Sequence, residues 1–186
     1  MQHLSKTLLA SILTSGCLAE LTMELSDGWN VKNSDSSVSV AAAVPGCVHS
    51  DLIREGILED PDYRFNEREY EWVALDDWTY SVQFETPTAQ QAASSRASTK
   101  TFLEFDGIDT LAEVKLNGLP LARTHDMFLR YSFDVTSLLL LGAGQKNHLE
   151  VSFVSPMGVA SELQQAYPYG VPATKNYNVW LEPSHR

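Results

Sequence analysis

Apolar and polar residues mostly alternate along the chain from Leu21 onward, and a period of two is typical of half-buried β-strands. The alternating runs are short, and turn residues separate them. They are LTMEL, SVSVAAAV, WTYSVQFET, TFLEF, LAEVKL, YSFDVT and HLEVSFV. Many short strands without regular strand-helix alternation predict an all-β fold, an antiparallel sandwich.

The segment AEVKLNGLPLAR carries the clearest hairpin signal. Asn117 and Gly118 supply the two positive-φ positions of a tight turn between two apolar runs. Every second residue from Ala112 to Leu116 is apolar, so these residues are predicted to share the core face.

Two segments depart from the alternation and predict one or two short helices. HSDLIREGI offers Ser50 as an N-cap, Asp51 near the positive end of the helix dipole, and Gly56 as a stop. MGVASELQQAYP has apolar residues at helical spacing before Pro168. The apolar face of this second helix would consist of Val159, Leu163 and Ala166.

The first 19 residues have the pattern of a secretory signal peptide. Lys6 precedes a mostly apolar run from Leu8 to Leu18, and the run ends in a small-x-small sequence at Ala19. A buried N-terminal helix is the alternative. The run is too short to span a bilayer, which takes roughly 20 residues, so no membrane association is expected. The predicted organisation is a signal peptide over 1–19, one domain over 20–172 and a tail over 173–186.

The chain is acidic, with a formal net charge of −11 that becomes −12 if the signal peptide and Lys6 are removed. Nucleic acid is therefore not an expected partner. Signal removal would also leave Cys47 as the remaining cysteine, either as a buried apolar residue, which we favour, or as half of a disulfide. No Asn-x-Ser/Thr glycosylation sequence occurs. The aperiodic run from Thr86 to Lys100 is predicted to be a surface loop.

The segment DPDYRFNEREYEWVALDDWTYSVQF, from Asp60 to Phe84, is dense in acids and aromatic residues. Paired carboxylates about 5 to 5.5 Å apart among aromatic rings are what a retaining glycosidase requires. Trp72 and Trp78 lie in strand-like contexts, and the even spacing from Trp78 to Phe84 favours a buried core face. A sugar-stacking platform is the alternative.

The acids of this segment flank Arg64 and Arg68, so exposed ion pairs on a loop are the simplest interpretation. A calcium site is the alternative, but no regular calcium-loop pattern is present. The histidines lack zinc-site spacing, and neither a nucleophile elbow nor a phosphate-binding glycine loop occurs. The residues therefore assign no catalytic, substrate-binding or metal-ligating side chain, and they indicate no cofactor.

Four runs together resemble the N-terminal domain of lysosomal beta-mannosidases, glycoside hydrolases of the beta-galactosidase and beta-glucuronidase group. They are VPGCVHSDLIREGILEDPDYRFNEREYEWVALDDWTYSVQF, LEFDGIDTLAEVKLNG, DMFLRYSFDVT and NHLEVSFVSP. The resemblance implies a galactose-binding-like jelly-roll β-sandwich that precedes an immunoglobulin-like sandwich and a TIM barrel. It also implies lysosomal location and beta-mannoside glycans as substrates of the full-length enzyme.

In that family the catalytic glutamates lie on the barrel, and a tryptophan-aspartate-tryptophan-glycine motif near the end of the first domain faces the substrate. Neither feature has a counterpart in this sequence, which diverges after YPYGVP into ATKNYNVWLEPSHR. A TIM barrel takes about 250 residues. We therefore expect a truncated beta-mannosidase chain that lacks its barrel partner in cis and is inactive alone. The alternatives are a secreted carbohydrate-binding module and a scaffold with no ligand of its own.

Overall fold

The alternating runs fold into two antiparallel sheets in the computed structural model, which describes residues 5–14, 17–87, 100–166 and 168–169. The ten strands are β1 Ser5–Thr14, β2 Cys17–Glu24, β3 Trp29–Asn33, β4 Ser39–Ala42, β5 Trp78–Glu85, β6 Lys100–Gly107, β7 Ala112–Leu116, β8 Leu119–Thr124, β9 Tyr131–Asp134 and β10 Lys146–Phe153. One sheet has the order β2-β1-β6-β9, and the other has the order β4-β3-β5-β10-β7-β8. The predicted all-β sandwich is confirmed.

Four short helices accompany the sheets. They are α1 Val48–Arg54, α2 Asn66–Glu69, α3 Glu71–Leu75 and α4 Pro156–Ala166. The sequence pattern predicted α1 and α4 but not α2 and α3. Trp72 therefore lies in a helix, and its predicted strand context is wrong.

The register of the six-stranded sheet defines two ends of the sandwich. Asn33 pairs with Trp78, Trp78 with Phe153, Phe153 with Ala112, and Ala112 with Thr124. We call the end marked by this row of five residues the Trp78 end. Helix α3 leads into this end at Trp78, and α4 follows it after Phe153. The β7–β8 turn lies at the opposite end.

The core lies between the two sheets. On β5 the side chains of Trp78, Tyr80, Val82 and Phe84 are all buried, which confirms the predicted core face. Tyr80 meets Phe153 edge to face at 5.9 Å between ring centroids, and such aromatic pairs are stabilising beyond their buried area. The even-spaced aromatics of this strand therefore hold the sandwich together.

The β7–β8 hairpin forms as predicted. Asn117 and Gly118 have φ of 53° and 79°, and the alternate residues from Ala112 to Leu116 are buried. The Asn117 side chain also donates to the Leu138 carbonyl at 2.8 Å and accepts from the His148 amide at 2.8 Å. The turn residue thereby fastens the hairpin to its neighbours.

The ends of α1 differ in part from the prediction. The N-cap is Cys47, so Ser50 lies inside the helix, and the proposed Ser50 cap is wrong. Gly56 has φ of 71°, and its amide donates to the Ile53 carbonyl, so the predicted stop is correct. Cys47 is a free, half-buried thiol next to the Ser50 hydroxyl at 3.1 Å, which corrects the expectation of full burial.

Helix α4 forms where its periodicity predicts, but its apolar face is not in the core. Leu163 is 66% exposed, and Ala166 is exposed as well. Because the apolar face of α4 is exposed, it is available for contact with another protein surface.

Three predictions fall partly or wholly outside the described residues. Of the predicted surface loop, residues 88–99 lie outside them, as does the whole predicted tail over 173–186. The predicted signal peptide overlaps β1, whose backbone pairs antiparallel with β2 and β6. The domain boundaries after residues 19 and 172 stay predictions.

Candidate functional site

A cleft at the Trp78 end is one concave feature of the described chain. It has a volume of ≈ 330 Å³ and lies between the α2–α3 segment and the start of α4. Its lining residues are His49, Pro61, Glu67, Tyr70, Glu71, Ala74, Leu75 and Met157. The walls are mainly apolar, with a few groups that can form hydrogen bonds, as is typical of binding sites.

A second cavity of ≈ 290 Å³ adjoins this cleft, and His49 and Ala74 line both. It reaches the core at Trp78 and Phe153, and Cys47 and Pro156 lie in its wall. The two spaces together make the Trp78 end the candidate functional region of the domain.

A buried carboxylate fixes the helix that carries His49 and Cys47. Asp51 of α1 has no solvent exposure. Its Oδ1 accepts from the Ala43 amide at 2.9 Å and from Arg54 Nη2 at 2.7 Å, and its Oδ2 accepts from the Tyr80 hydroxyl at 3.1 Å. A buried charge is stable only with partners of this kind. Asp51 thereby joins α1 to the preceding turn and to the core strand β5.

The environment of Tyr80 keeps its hydroxyl protonated. Burial raises the pKa of Tyr80 far above its usual range, and the neighbouring Asp51 carboxylate raises it further. Tyr80 therefore remains a hydrogen-bond donor to Asp51 across the range in which proteins are folded. Its role is structural, because a phenol held in this state is a poor general base.

His49 is the titratable group shared by the two cavities. Partial burial of its ring lowers the pKa of His49 from the ordinary value, because desolvation disfavours the imidazolium form, although the residue keeps an exposed surface. The side chain is therefore neutral at pH 7 and can donate or accept a hydrogen bond. The nearby Glu67 and Glu71 are exposed to solvent. A glycosidase acid, in contrast, is kept protonated by a shielded site.

Several acids of the Asp60–Phe84 segment serve as acceptors that hold turns. Asp60 accepts from the Asp62 amide at 2.9 Å, and Asp77 accepts from the Ser155 amide at 2.7 Å. Burial raises the pKa of Asp76, but hydrogen bonds from Ser34 and Asn33 outweigh it, so the net pKa is lowered. These three carboxylates are committed to the architecture.

The predicted ion pairs of Arg64 and Arg68 do not form. None of the ion pairs among the described residues includes either arginine. The Arg64 guanidinium lies 5.2 Å from the centroid of the Tyr63 ring, and Arg68 lies 5.3 Å from that of Phe65. Cation–π contact with the preceding aromatic residue thus takes the place of ion pairing. The sequence offers a local signal for these contacts, because Tyr63 directly precedes Arg64 and Phe65 lies three residues before Arg68.

The tryptophans do not form an open stacking surface in the described chain. Trp29 and Trp78 are 2% and 3% exposed, and each indole donates to a backbone carbonyl. Trp72 is partly buried and packs against Trp78 at 5.9 Å between centroids. A sugar platform needs an exposed ring face. Trp72 and Trp78 therefore belong to the packing of the Trp78 end, and Trp29 belongs to the core further along β3.

The part of the chain that the structure describes presents no cluster of metal ligands. It contains no group of three or more His, Cys, Asp or Glu side chains that could hold a metal ion. None of its helices is both long enough and apolar enough to cross a bilayer. The cleft can thus offer hydrogen bonds and apolar contacts, with no metal chemistry arranged among these residues.

Comparison with known families gives the identity of the fold. A family model described as "Glycosyl hydrolase 2 galactose-binding domain-like" matches residues 29–184, which include α1–α4 and the whole six-stranded sheet. The chain belongs to this family. The resemblance to the mannosidase group, drawn from four sequence runs, is thereby confirmed at the level of the domain.

Relatives of this galactose-binding-like domain carry the name beta-mannosidase. The chain is 38% identical over 172 residues to beta-mannosidase of Rattus norvegicus, covering 91% of this chain and 18% of that protein. It is 40% identical over 153 residues to beta-mannosidase of Capra hircus, covering 82% of this chain and 16% of that protein. The chain therefore spans less than a fifth of the length of these relatives.

A solved structure agrees with the sequence relatives. The crystal structure of beta-D-mannosidase from Dictyoglomus thermophilum superposes with a TM-score of 0.73 at 35% identity. The match covers 82% of this chain and 18% of that chain. The galactose-binding-like domain is therefore similar in fold to one part of a much longer mannosidase.

Asp51→Asn is predicted to destabilise the domain. The new side-chain NH2 group would face a hydrogen-bond donor at a place where a carboxylate oxygen now accepts a hydrogen bond. Arg54 is 44% exposed, which reduces the ion-pair contribution, so we expect a loss of about 2 to 3 kcal/mol in the free energy of unfolding. Urea denaturation of the 186-residue chain measures the change.

Glu55→Gln is the matched control, since Glu55 lies next to Arg54 in an exposed pair at 3.7 Å. Its loss should stay within about 0.5 kcal/mol. Equal effects of the two substitutions would contradict the role given to Asp51.

Proposed function

We propose that this chain serves as the non-catalytic N-terminal domain of a beta-mannosidase, an enzyme that removes terminal beta-D-mannose residues from glycans. The identities of 35 to 40% to proteins of that name, over 82 to 91% of the chain, are the main support. Hydrolysis of the mannoside would then be carried out by the part of such an enzyme that this chain does not span. This domain would act as a scaffold for that part.

The composition of the described chain supports a scaffold without its own chemistry. A TIM barrel requires about 250 residues of alternating strand and helix, whereas these residues form two antiparallel sheets. The acids of the Asp60–Phe84 segment do not form a catalytic carboxylate pair in this arrangement. Asp60 and Asp77 hold turns, and Glu67 and Glu71 lie exposed at the cleft.

A free-standing carbohydrate-binding module has less support. That hypothesis needs at least one tryptophan exposed on a concave face, and Trp72 and Trp78 are instead packed together. Trp180, the remaining tryptophan of the chain, lies outside the described residues. Fold alone is weak support for sugar binding, because one fold serves many functions.

The proposal predicts how a chimera will behave. In the chimera, the part of this chain that superposes on the Dictyoglomus thermophilum mannosidase replaces the matching segment of that enzyme. The measurement is the rate at which the chimera hydrolyses p-nitrophenyl β-D-mannopyranoside. We expect activity in the chimera, no turnover by the isolated 186-residue chain, and none by the enzyme lacking the segment. A soluble chimera without activity would contradict the proposal, as would hydrolysis by the isolated chain.

We further propose that residues 1–19 are a signal peptide and that the protein enters the secretory pathway and reaches the lysosome. The pattern of Lys6, the apolar run and Ala19 supports entry into the secretory pathway, and the lysosomal destination rests on the resemblance to lysosomal beta-mannosidases. The backbone pairing of Ser5–Thr14 with β6 favours retention instead, since cleavage would remove β1.

Sequencing the N-terminus of the protein recovered from its native cells separates the two outcomes. We expect the mature chain to begin at Glu20. A chain that begins at Met1 would contradict the signal peptide and support β1 as a lasting part of the sheet. Co-localisation with a lysosomal marker tests the destination, and exclusion from lysosomes would overturn it.

A further inference from the structure

A loop that follows β8 exposes two large hydrophobic side chains. Phe128 is 86% exposed, and its neighbour Leu129 is 49% exposed. A phenylalanine in water forgoes the roughly 1.5 to 3 kcal/mol that burial of such a side chain supplies. An exposure of this size marks a candidate contact surface.

The loop holds Phe128 outward through several fixed contacts. The Asp126 carboxylate accepts from the Phe128 amide at 2.8 Å, and the Tyr131 hydroxyl donates to the Asp126 carbonyl at 2.8 Å. Arg130 forms an ion pair with Asp106 of β6 at 2.8 Å. Because these contacts fix both sides of the loop, the side chain is presented in a preorganised position, which lowers the entropic cost of binding.

Gly107 lets the loop pack closely against β6. A Cβ atom added there would lie 2.8 Å from the Met127 carbonyl oxygen, closer than such contacts allow. The absence of a side chain at Gly107 therefore lets Met127 approach the strand, and it sets the position of the adjacent Phe128.

The loop lies at the Trp78 end, where further apolar side chains are exposed. Thr124, the last residue of β8, is in the row that defines this end. Segments leaving the same end expose Leu75 by 62%, Val154 by 45% and Leu163 by 66%. With strands about 4.8 Å apart, Thr124 is roughly 10 Å from Phe153 across the sheet. The loop and the exposed apolar side chains of the α3–α4 region therefore lie at the same end of the sandwich, and we call this set of residues the Phe128 face.

The occupant of this face can be argued from coverage and charge. The chain spans 18% of the rat and Dictyoglomus relatives, so most of such an enzyme lies beyond it. Helix α4 follows the Trp78 end along the chain, and the last described residue, Tyr169, is 74% exposed. A second copy is disfavoured, because a net charge of −11 makes identical chains repel each other.

We propose that the Phe128 face is the docking surface for the remaining, catalytic part of the enzyme. This inference rests on the function proposed above. The partner presents an apolar pocket to Phe128 and Leu129, and basic side chains to the acids around the cleft, such as Glu67 and Glu71. Phe128 would be an anchor residue at the centre of that contact.

Hydroxyl-radical footprinting of the unmodified side chains tests this directly in the chimera described above. Oxidation of Phe128 is compared by mass spectrometry between the isolated chain and the chimera. We expect the rate to fall roughly tenfold in the chimera, because a residue at an interface core becomes fully buried. Leu119 is the control, since it is 52% exposed in the β7–β8 hairpin at the opposite end.

Two substitutions in the chimera give an independent readout. Phe128→Asp should lower mannoside hydrolysis roughly tenfold or more through loss of domain docking, whereas Leu119→Asp should leave it unchanged. The two isolated variants should unfold at the same temperature as the unaltered chain, because both side chains are exposed before docking.

The outcomes separate the inference from the proposed function. An active chimera in which Phe128 stays as reactive as in the isolated chain overturns the docking face but leaves the proposed function standing. An inactive, soluble chimera contradicts the proposed function itself. An isolated chain that sediments as a dimer with Phe128 protected would show that a second copy, and not the catalytic part, occupies the face.

Discussion

The buried carboxylate of Asp51 is the constraint on which the Trp78 end depends. It accepts hydrogen bonds from the Ala43 amide, the Arg54 guanidinium and the Tyr80 hydroxyl, which belong to three different parts of the chain. Leaving the buried Tyr80 hydroxyl without an acceptor would cost free energy. The carboxylate therefore sets the position of α1 on the core, and α1 in turn supplies Cys47 and His49 to the cavity walls.

The acidic and aromatic segment from Asp60 to Phe84 uses the residue types of a sugar-cleaving site to build a scaffold. Trp78 and Tyr80 fill the core, Trp72 packs on Trp78, and Asp77 binds the backbone that leads into α4. Composition alone cannot separate these uses, because a packed aromatic core and a binding cleft require the same side chains. Burial decides between them.

Period-two alternation identified most of the strands and the core face of β5, because each strand buries one side and exposes the other. The Asn117-Gly118 turn was predictable for a local reason, since both positions need positive φ. Helices α2 and α3 were missed because they are four and five residues long, too short for a helical period to emerge.

The candidate site was harder to foresee from the sequence. The sequence pattern predicts for Asp51 only a favourable position near the helix dipole, because its partner Tyr80 is 29 residues away and their contact depends on the tertiary fold. The sequence also gives no direct sign that Phe128 is exposed. Phe128 is the middle of three consecutive apolar residues, which are expected in the core, and only the loop that holds it shows otherwise.

The central claim is that the aromatic segment is architecture and not a sugar site. Titration of the ¹⁵N-labelled chain with β-1,4-mannobiose, followed through the indole N–H signals of Trp72 and Trp78, tests this most directly. The account predicts that both signals remain unshifted through millimolar concentrations of the sugar. A saturable shift of either indole signal would show that the segment binds sugar and would contradict the account.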